Sequence, residues 1–565
     1  MSPKQCLCPL VVISVLCTSP VAFADWTRFR GPNGSGVSAD DATMPLRWSA
    51  SANLKWKAEL PGPGVSCPIA VGDRIYVTSY SGYGLDREHP GDQTDLKRHL
   101  VCLARDTGRQ IWKKTVDPVL PEDPYAGVGV PAHGYASHTP VSDGENVFVF
   151  FGKTGALAFD RNGKQLWQTS VGNESDPRRW GSASSPILYN NLLIVPATAE
   201  SQALVALDKT TGKEVWRQEA AGFSSSWSTP ILVKVNENRT DLVIGVPKEI
   251  WGLNPDTGKL RWYCEGIKSN SFCSSVAVHD GVIYAMGARG GKSLAVRVGG
   301  NGNVTESHVV WTGRDSSEFG SPIVHNGRIY AVAEGIATVI DATTGERIFR
   351  TRLKGGGEAG GGRLPRDYAS PILADDKLYY VNRSGDMFVL KANDKLEQIA
   401  VNRLTGEDAN EGFNATPAAG NGGLFIRSDK HMYCVALMDQ KVSDQADPNR
   451  NTSAPANDVV PEDNQQGSRR GGGRRFRGGG RNGFDPAEFF RRRDSNSDGK
   501  LSGDEISERM RGRMDQIDSD KDGAITPEEF RKGIGRMFGG GGRRGQGANR
   551  GEDKPERPQR PQLED

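Results

Sequence analysis

This sequence is short of several things. Hydrophobic residues make up 36% of its 565 positions, too few for an integral membrane protein. Lys and Arg (71) nearly cancel Asp and Glu (69), so a net charge of +2 excludes a global field of the kind that gathers nucleic acid. Cysteine is scarce: Cys6, Cys8 and Cys17 fall in the first 24 residues, leaving Cys67, Cys102, Cys264, Cys273 and Cys434. Five cysteines over so long a chain exclude a disulfide-stapled scaffold, and no two of them are adjacent. The fold therefore depends on an apolar core. Glycine is abundant instead, at 70 residues, which points to many tight turns, to low-complexity tails, or to both.

The first residues read as a secretory signal: Lys4, an apolar run from Leu7, then Ala22-Phe23-Ala24 before Asp25. Residues 1–24 are expected to be removed, and the mature chain to be exported to a periplasmic or extracellular space.

A Ser/Thr-Pro signal followed by an apolar run recurs at Cys67-Pro68, Thr139-Pro140, Ser185-Pro186, Thr229-Pro230, Ser274-Ser275, Ser321-Pro322, Ser370-Pro371 and Thr416-Pro417. After a longer first unit, the steps are 44 to 49 residues. Within a unit, turns such as Asp280-Gly281 and Asn326-Gly327 join short β-branched or aromatic runs, a hairpin signal. A third run leads to a Thr-Gly turn with Trp four residues later: Gly108 to Trp112, Gly212 to Trp216, Gly258 to Trp262. Four short strands per unit, eight times over, predict an all-β eight-bladed propeller. The last unit lacks a Trp strand, while one spare Trp strand stands near the start, so residues 54–60 are expected to close blade 8.

The stretch Ala206-x-Asp208-x-x-Thr211-Gly212-x-x-x-Trp216 resembles the tryptophan-docking motif of the pyrroloquinoline-quinone (PQQ) repeat propellers, from Asp25 to about Leu437. That family includes quinoprotein dehydrogenases and a non-enzymatic propeller subunit of the outer-membrane assembly machine. The opening Trp26-Thr27-Arg28-Phe29-Arg30-Gly31-Pro32-Asn33-Gly34 is similar to the start of secreted planctomycete propellers. Blades 5 and 7 depart from the pattern by lacking the Thr-Gly turn. The resemblance implies a propeller fold; for activity it leaves two readings. A PQQ-dependent oxidoreductase would, by resemblance, use vicinal cysteines against the quinone, a bound calcium and an Asp base, and this chain has no Cys-Cys pair. The reading placed first is therefore a binding or scaffold module, with PQQ as the alternative cofactor.

Seven aromatics stand just before the inner strand of their blades: Tyr135, Trp180, Trp227, Phe272, Phe319, Tyr368 and Phe413. They are expected either to ring one mouth of the central channel, with Arg178, Arg179 and Arg366 near, or to wedge between blades. Two loops of blade 1, Ser81 to His99 and Asp117 to Tyr135, are long; His89, His99, His133 and His138 lie in them or at the rim, and are expected either to form a metal or acid-base site with Asp86, Glu88, Asp92 and Asp95 or to serve loop packing, the spacing being that of no strong metal motif.

Past residue 440 the composition turns polar, then rich in Gly and Arg, with six Arg and no acid from Arg469 to Arg481. Residues 441–483 read as a disordered linker able to touch an anionic surface, with no specific nucleic-acid motif; the partner could equally be a protein or an envelope polymer. Two loops then match the calcium pattern D-x-[DN]-x-[DN]-G-x5-E. The first would use Asp494, Asn496, Asp498, the Lys500 carbonyl and Glu505; the second Asp518, Asp520, Asp522, the Ala524 carbonyl and Glu529. Residues 484–538 are thus expected to be a helical EF-hand pair binding two calcium ions, with Leu501 and Ile525 joined by a short β-bridge. Residues 539–565 are expected to be a disordered tail.

Overall fold

The computed structural model describes residues 25–288, 290–355, 367–405, 411–438, 496, 498–506, 518–529 and 559–564. The chain divides into two units, one of residues 1–461 with 557–565 and one of residues 462–556.

The first unit is an eight-bladed β-propeller. Blade 1 comprises Ile69–Val71, Arg74–Ser81, Lys97–Ala104 and Gln110–Val116, and the next six follow in the same meander order. Blade 8 takes Ala418–Gly420, Gly423–Arg427 and His431–Ala436 from the end of the repeats and Leu54–Glu59 from the start, paired antiparallel. Burial explains the composition of each strand. Middle strands are covered on both faces by neighbouring blades and are buried along nearly their whole length, as in Ala156–Asp160, apolar up to Phe159, whereas the outermost strand Leu54–Glu59 alternates between water and core. At Asp280-Gly281 and Asn326-Gly327 both residues have positive φ, the geometry a two-residue hairpin turn demands.

The Thr-Gly-x-x-x-Trp spacing has a direct cause. Each tryptophan docks on the turn of the following blade: Trp56 Nε1 donates to the Arg105 carbonyl, Trp112 to Arg161, Trp167 to Lys209, Trp216 to Pro255 and Trp311 to Ala342, at 2.8 to 3.1 Å. The indole lies against the glycine of that turn, where a Cβ on Gly108 would stand 2.5 Å from Trp56. Blade 5 lacks the turn, and Trp262 of blade 4 accordingly bonds inward to Asp241 of its own blade (2.8 Å).

The Ser/Thr of the repeat forms a hub. The backbone N–H of Cys67 donates to Thr139 Oγ1, Thr139 to Ser185, Ser185 to Thr229, Thr229 to Ser275, Ser275 to Ser321, Ser321 to Ser370 and Ser370 to Thr416, at 2.9 to 3.1 Å. In blade 5 the hub residue is Ser275, so the register read from Ser274-Ser275 shifts by one: Ser274 instead donates to the Met286 carbonyl.

The segment after Asp25 staples one mouth of the hub. Trp26 bridges to Ala70, Thr27 accepts from Ser142, Arg28 donates to the Pro230 carbonyl (2.9 Å), Arg30 to Pro322 (2.5 Å), and Val37 bridges to Leu373. One short segment thereby touches blades 1, 2, 4, 6 and 7.

The expectation of a disordered 539–565 tail fails at its end. Residues 559–564 lie along the outer edge of blade 4, with Leu563 bridged in parallel to Leu260. Composition hid this because the anchors are two single charged residues, Arg560 and Glu564, in a Pro- and Gln-rich context.

Candidate functional site

The hub encloses an axial cavity of about 430 Å³. All eight hub residues, Cys67, Thr139, Ser185, Thr229, Ser275, Ser321, Ser370 and Thr416, line it, together with Phe29 from the N-terminal staple. Each hub hydroxyl accepts a neighbour's N–H and keeps its own proton to donate.

Four of the seven expected aromatics reach this cavity. Trp180 and Trp227 form a tilted pair, 4.9 Å between centroids and 34° between planes; Phe319 and Tyr368 pair at 4.7 Å and 48°. The other three do not. Tyr135 packs among Tyr80, Tyr83 and Tyr125, its hydroxyl donating to the Asp123 carbonyl (2.7 Å), while Phe272 and Phe413 are buried in blade packing. The two alternatives weighed for these aromatics are thus both realised, at different positions.

Of the four candidate histidines, His133 lines the cavity; sequence reasoning missed Ser137, Cys273 and Asn414, which also line it, since only the fold brings them there. His133 Nε2 faces the Trp180 carbonyl (2.5 Å) and must carry the proton, which leaves Nδ1 to accept from Ser137 Oγ (2.6 Å). Burial lowers the His133 pKa, so the ring is neutral at pH 7. Among the described lining residues there is no Asp, Glu, Lys or Arg. Arg178 stacks over Trp180 at the rim, but its guanidinium is engaged by the Asn270 carbonyl and Ser225. Arg366 lies outside the described residues.

The blade 1 histidines do not converge. His99 bonds Ser81 and Thr115, and burial lowers its pKa to about 4. His138 bonds Ser182 and stacks on Phe150, and burial lowers its pKa to about 3. His89 is exposed in a turn capped by Asp86. Beside His138 a small polar cavity of about 30 Å³ holds the ion pair Arg98–Glu122 (2.7 Å) and the carboxyl of Glu200.

In the second unit, the two loops pair through Leu501 and Ile525, which exchange backbone hydrogen bonds of 2.9 Å and are both fully buried. Gly499 and Gly523, at the sixth loop position, have φ of 81° and 83°, the turn that such a loop needs. Carboxylate oxygens of Asp518, Asp520 and Asp522 lie within 4.8 Å of one another. Glu529 closes loop 2: its carboxylate accepts from the Thr526 N–H and hydroxyl and from Ser519, and these bonds lower its pKa to about 2. In loop 1, Glu505 accepts from the Asn496 and Ser502 N–H groups, and Asn496 donates to Asp498. Lys500 reaches across to Asp522 (3.3 Å). Asp494 lies outside the described residues, as do the flanking helices expected from sequence. The described oxygen donors suit a hard divalent cation.

A Trp-docked propeller with a hydroxyl hub and an aromatic cavity defines the class of PQQ-type repeat proteins. The family model described as outer membrane protein assembly factor BamB matches residues 37–174 and 158–406, and the chain belongs to this family. An EF-hand model matches residues 511–534. A polyvinylalcohol dehydrogenase from Pseudomonas sp is 22% identical over 351 residues, 54% of this chain and 48% of that protein. BamB of Burkholderia pseudomallei (strain K96243) is 29% identical over 201 residues, 34% of this chain and 40% of that protein. The chain thus spans half or less of the length of these curated relatives. Among solved structures, a europium-containing methanol dehydrogenase superposes with a TM-score of 0.52 at 10% identity, covering 73% of this chain and 98% of that one, which shows the shared fold. Among the described residues, no helix is long and apolar enough to cross a membrane.

Proposed function

We propose that this chain is an exported binding protein whose axial cavity takes an uncharged ligand with a flat face and a hydroxyl-rich edge, and whose C-terminal loops hold two calcium ions. One observation carries the ligand class: the cavity sets two tilted aromatic pairs beside hub hydroxyls and offers no charged side chain among its described lining. A charged ligand would lose its hydration there without finding an ion pair, whereas a sugar ring or an alcohol polymer would stack and hydrogen-bond. Asp518, Asp520, Asp522 and Glu529 with the Ala524 carbonyl would hold one calcium, and Asp494, Asn496, Asp498 and Glu505 with the Lys500 carbonyl the other.

The relatives named as dehydrogenases support a second reading, a PQQ-dependent oxidoreductase. The described lining does not fit that cofactor: its carboxylates meet no free guanidinium, no lining carboxylate could hold the metal, and no vicinal cysteines face the ring.

The test follows tryptophan fluorescence during titration with neutral oligosaccharides, polyvinyl alcohol and PQQ, each with and without calcium, alongside reduction of an artificial electron acceptor. Saturable quenching by a neutral ligand, lost in Trp180→Ala, supports the binding reading. Saturable quinone binding with dye reduction would replace it with the oxidoreductase.

A further inference from the structure

The outer strand of blade 4, Leu260–Glu265, is covered twice. Gly302–Asn303 pairs in parallel with Trp262 and Tyr263, and the segment Gln559–Glu564 continues the cover at Leu260. The Glu564 N–H donates to the Leu260 carbonyl (2.6 Å), and the Gln559 carbonyl accepts from Gly222 (3.0 Å). Backbone pairing of this kind is how an exposed sheet edge takes up an extended peptide.

Two charged clamps fix the register. Glu249 has a side chain only 2% exposed; it takes one hydrogen bond from Trp251 Nε1 (2.7 Å), and among the described residues Arg560 is the cation that pairs with it, through Nε at 2.7 Å and through Nη2. Arg560 also reaches Glu265 (2.9 Å) and lies 3.6 Å above the Tyr263 ring. Four residues on, Glu564 accepts from Arg261 Nε (2.8 Å) and Asn254 Nδ2 (2.6 Å). Arg261 is already held by the Thr240 carbonyl and by buried Asp241, both at 2.8 Å. Blade 4 therefore presents a buried carboxylate, Glu249, whose cation among the described residues comes from outside the repeat, and a guanidinium, Arg261, that Asp241 holds in place with its Nε turned to a second carboxylate.

We propose that this edge of blade 4 is a peptide-binding site that recognises an extended segment carrying Arg and Glu four residues apart, and that its occupant is the chain's own Gln559–Glu564, bound in cis. Tethering raises the local concentration of the segment, so that a peptide of modest affinity stays seated.

The experiment uses a fluorescein-labelled peptide of residues 553–565 and the chain lacking residues 557–565, read by anisotropy. Saturable binding is expected, with the intact chain binding at least about tenfold more weakly because its site is filled. Peptides with Arg560→Ala or Glu564→Ala, which leave the propeller untouched, should each lose about tenfold or more. If the shortened chain does not fold, the intact chain carrying Arg560→Ala serves as receptor. Failure of either receptor to bind the parent peptide, or equal binding of the substituted peptides, overturns the site. Light scattering decides the occupant: a monomer at all concentrations is expected, and a concentration-dependent dimer would overturn binding in cis in favour of exchange between copies.

Discussion

Trp56 Nε1 donates to the carbonyl of Arg105 at 2.8 Å, so a strand from before the first repeat locks blade 8 onto blade 1. The same contact recurs at four other blade boundaries and makes the glycine under each indole irreplaceable. Gly108 has φ of 69° and its Cβ position lies 2.5 Å from the Trp56 ring. Gly108→Ala is expected to lower stability by about 2–4 kcal/mol in urea unfolding. Gly91→Ala, with φ of 86° and nothing within 4 Å, should cost only the backbone share of that, about 1–2 kcal/mol.

The hub ring contains one thiol among seven hydroxyls. Burial pushes the Cys67 thiol pKa up, against hydrogen bonds from Thr139 and Thr416. Cys67→Ser should leave stability within about 1 kcal/mol of the parent, whereas Cys67→Ala strips an acceptor from a buried ring and should cost about 1–3 kcal/mol. Among the described residues none of the five cysteines is in a disulfide, and Cys273 alone among them is partly exposed, in the cavity. In a protein beginning at Asp25, a thiol reagent should label one equivalent in the native state and five after unfolding, and labelling should be slowed by any cavity ligand.

Glu200 is buried, its Oε2 has no hydrogen-bond partner among the described residues, and burial raises its pKa from 4.5 to about 7. Its folded pKa exceeds the unfolded one, so the native state holds the extra proton between those values and stability falls as pH rises through that window. Between pH 4.5 and 7 the parent should lose on the order of 1–3 kcal/mol at this site, and Glu200→Gln should flatten that part of the curve. Urea midpoints measured across the range in both proteins check this.

Loop 2 offers four carboxylates (Asp518, Asp520, Asp522, Glu529) and loop 1 three, with Asn496 in place of one. Ligand charge favours filling of loop 2 first. Glu529→Gln should weaken the tighter event in calorimetry about tenfold or more, and Glu505→Gln mainly the second. Loss of the tighter event in Glu505→Gln would show that loop rigidity, not charge, sets the order.

The repeat period, the Thr-Gly-x-x-x-Trp spacing and the Ser/Thr-Pro signal determine the propeller from sequence alone, because each is a local pattern enforced at every blade boundary or at the hub. The pairing of Leu501 with Ile525 follows in the same way from loop positions fixed by an ion's geometry. Only the tertiary structure decides which aromatics reach the axial cavity. Trp180, Trp227, Phe319 and Tyr368 face the axis, while Tyr135, Phe272 and Phe413, equivalent in sequence, are taken up by loop and blade packing. The same holds for the meeting of Arg560 with Glu249 across 311 residues: nothing local in either stretch requires the other, and the pair exists because burial of one charge on blade 4 demands the opposite charge from wherever the chain can bring it.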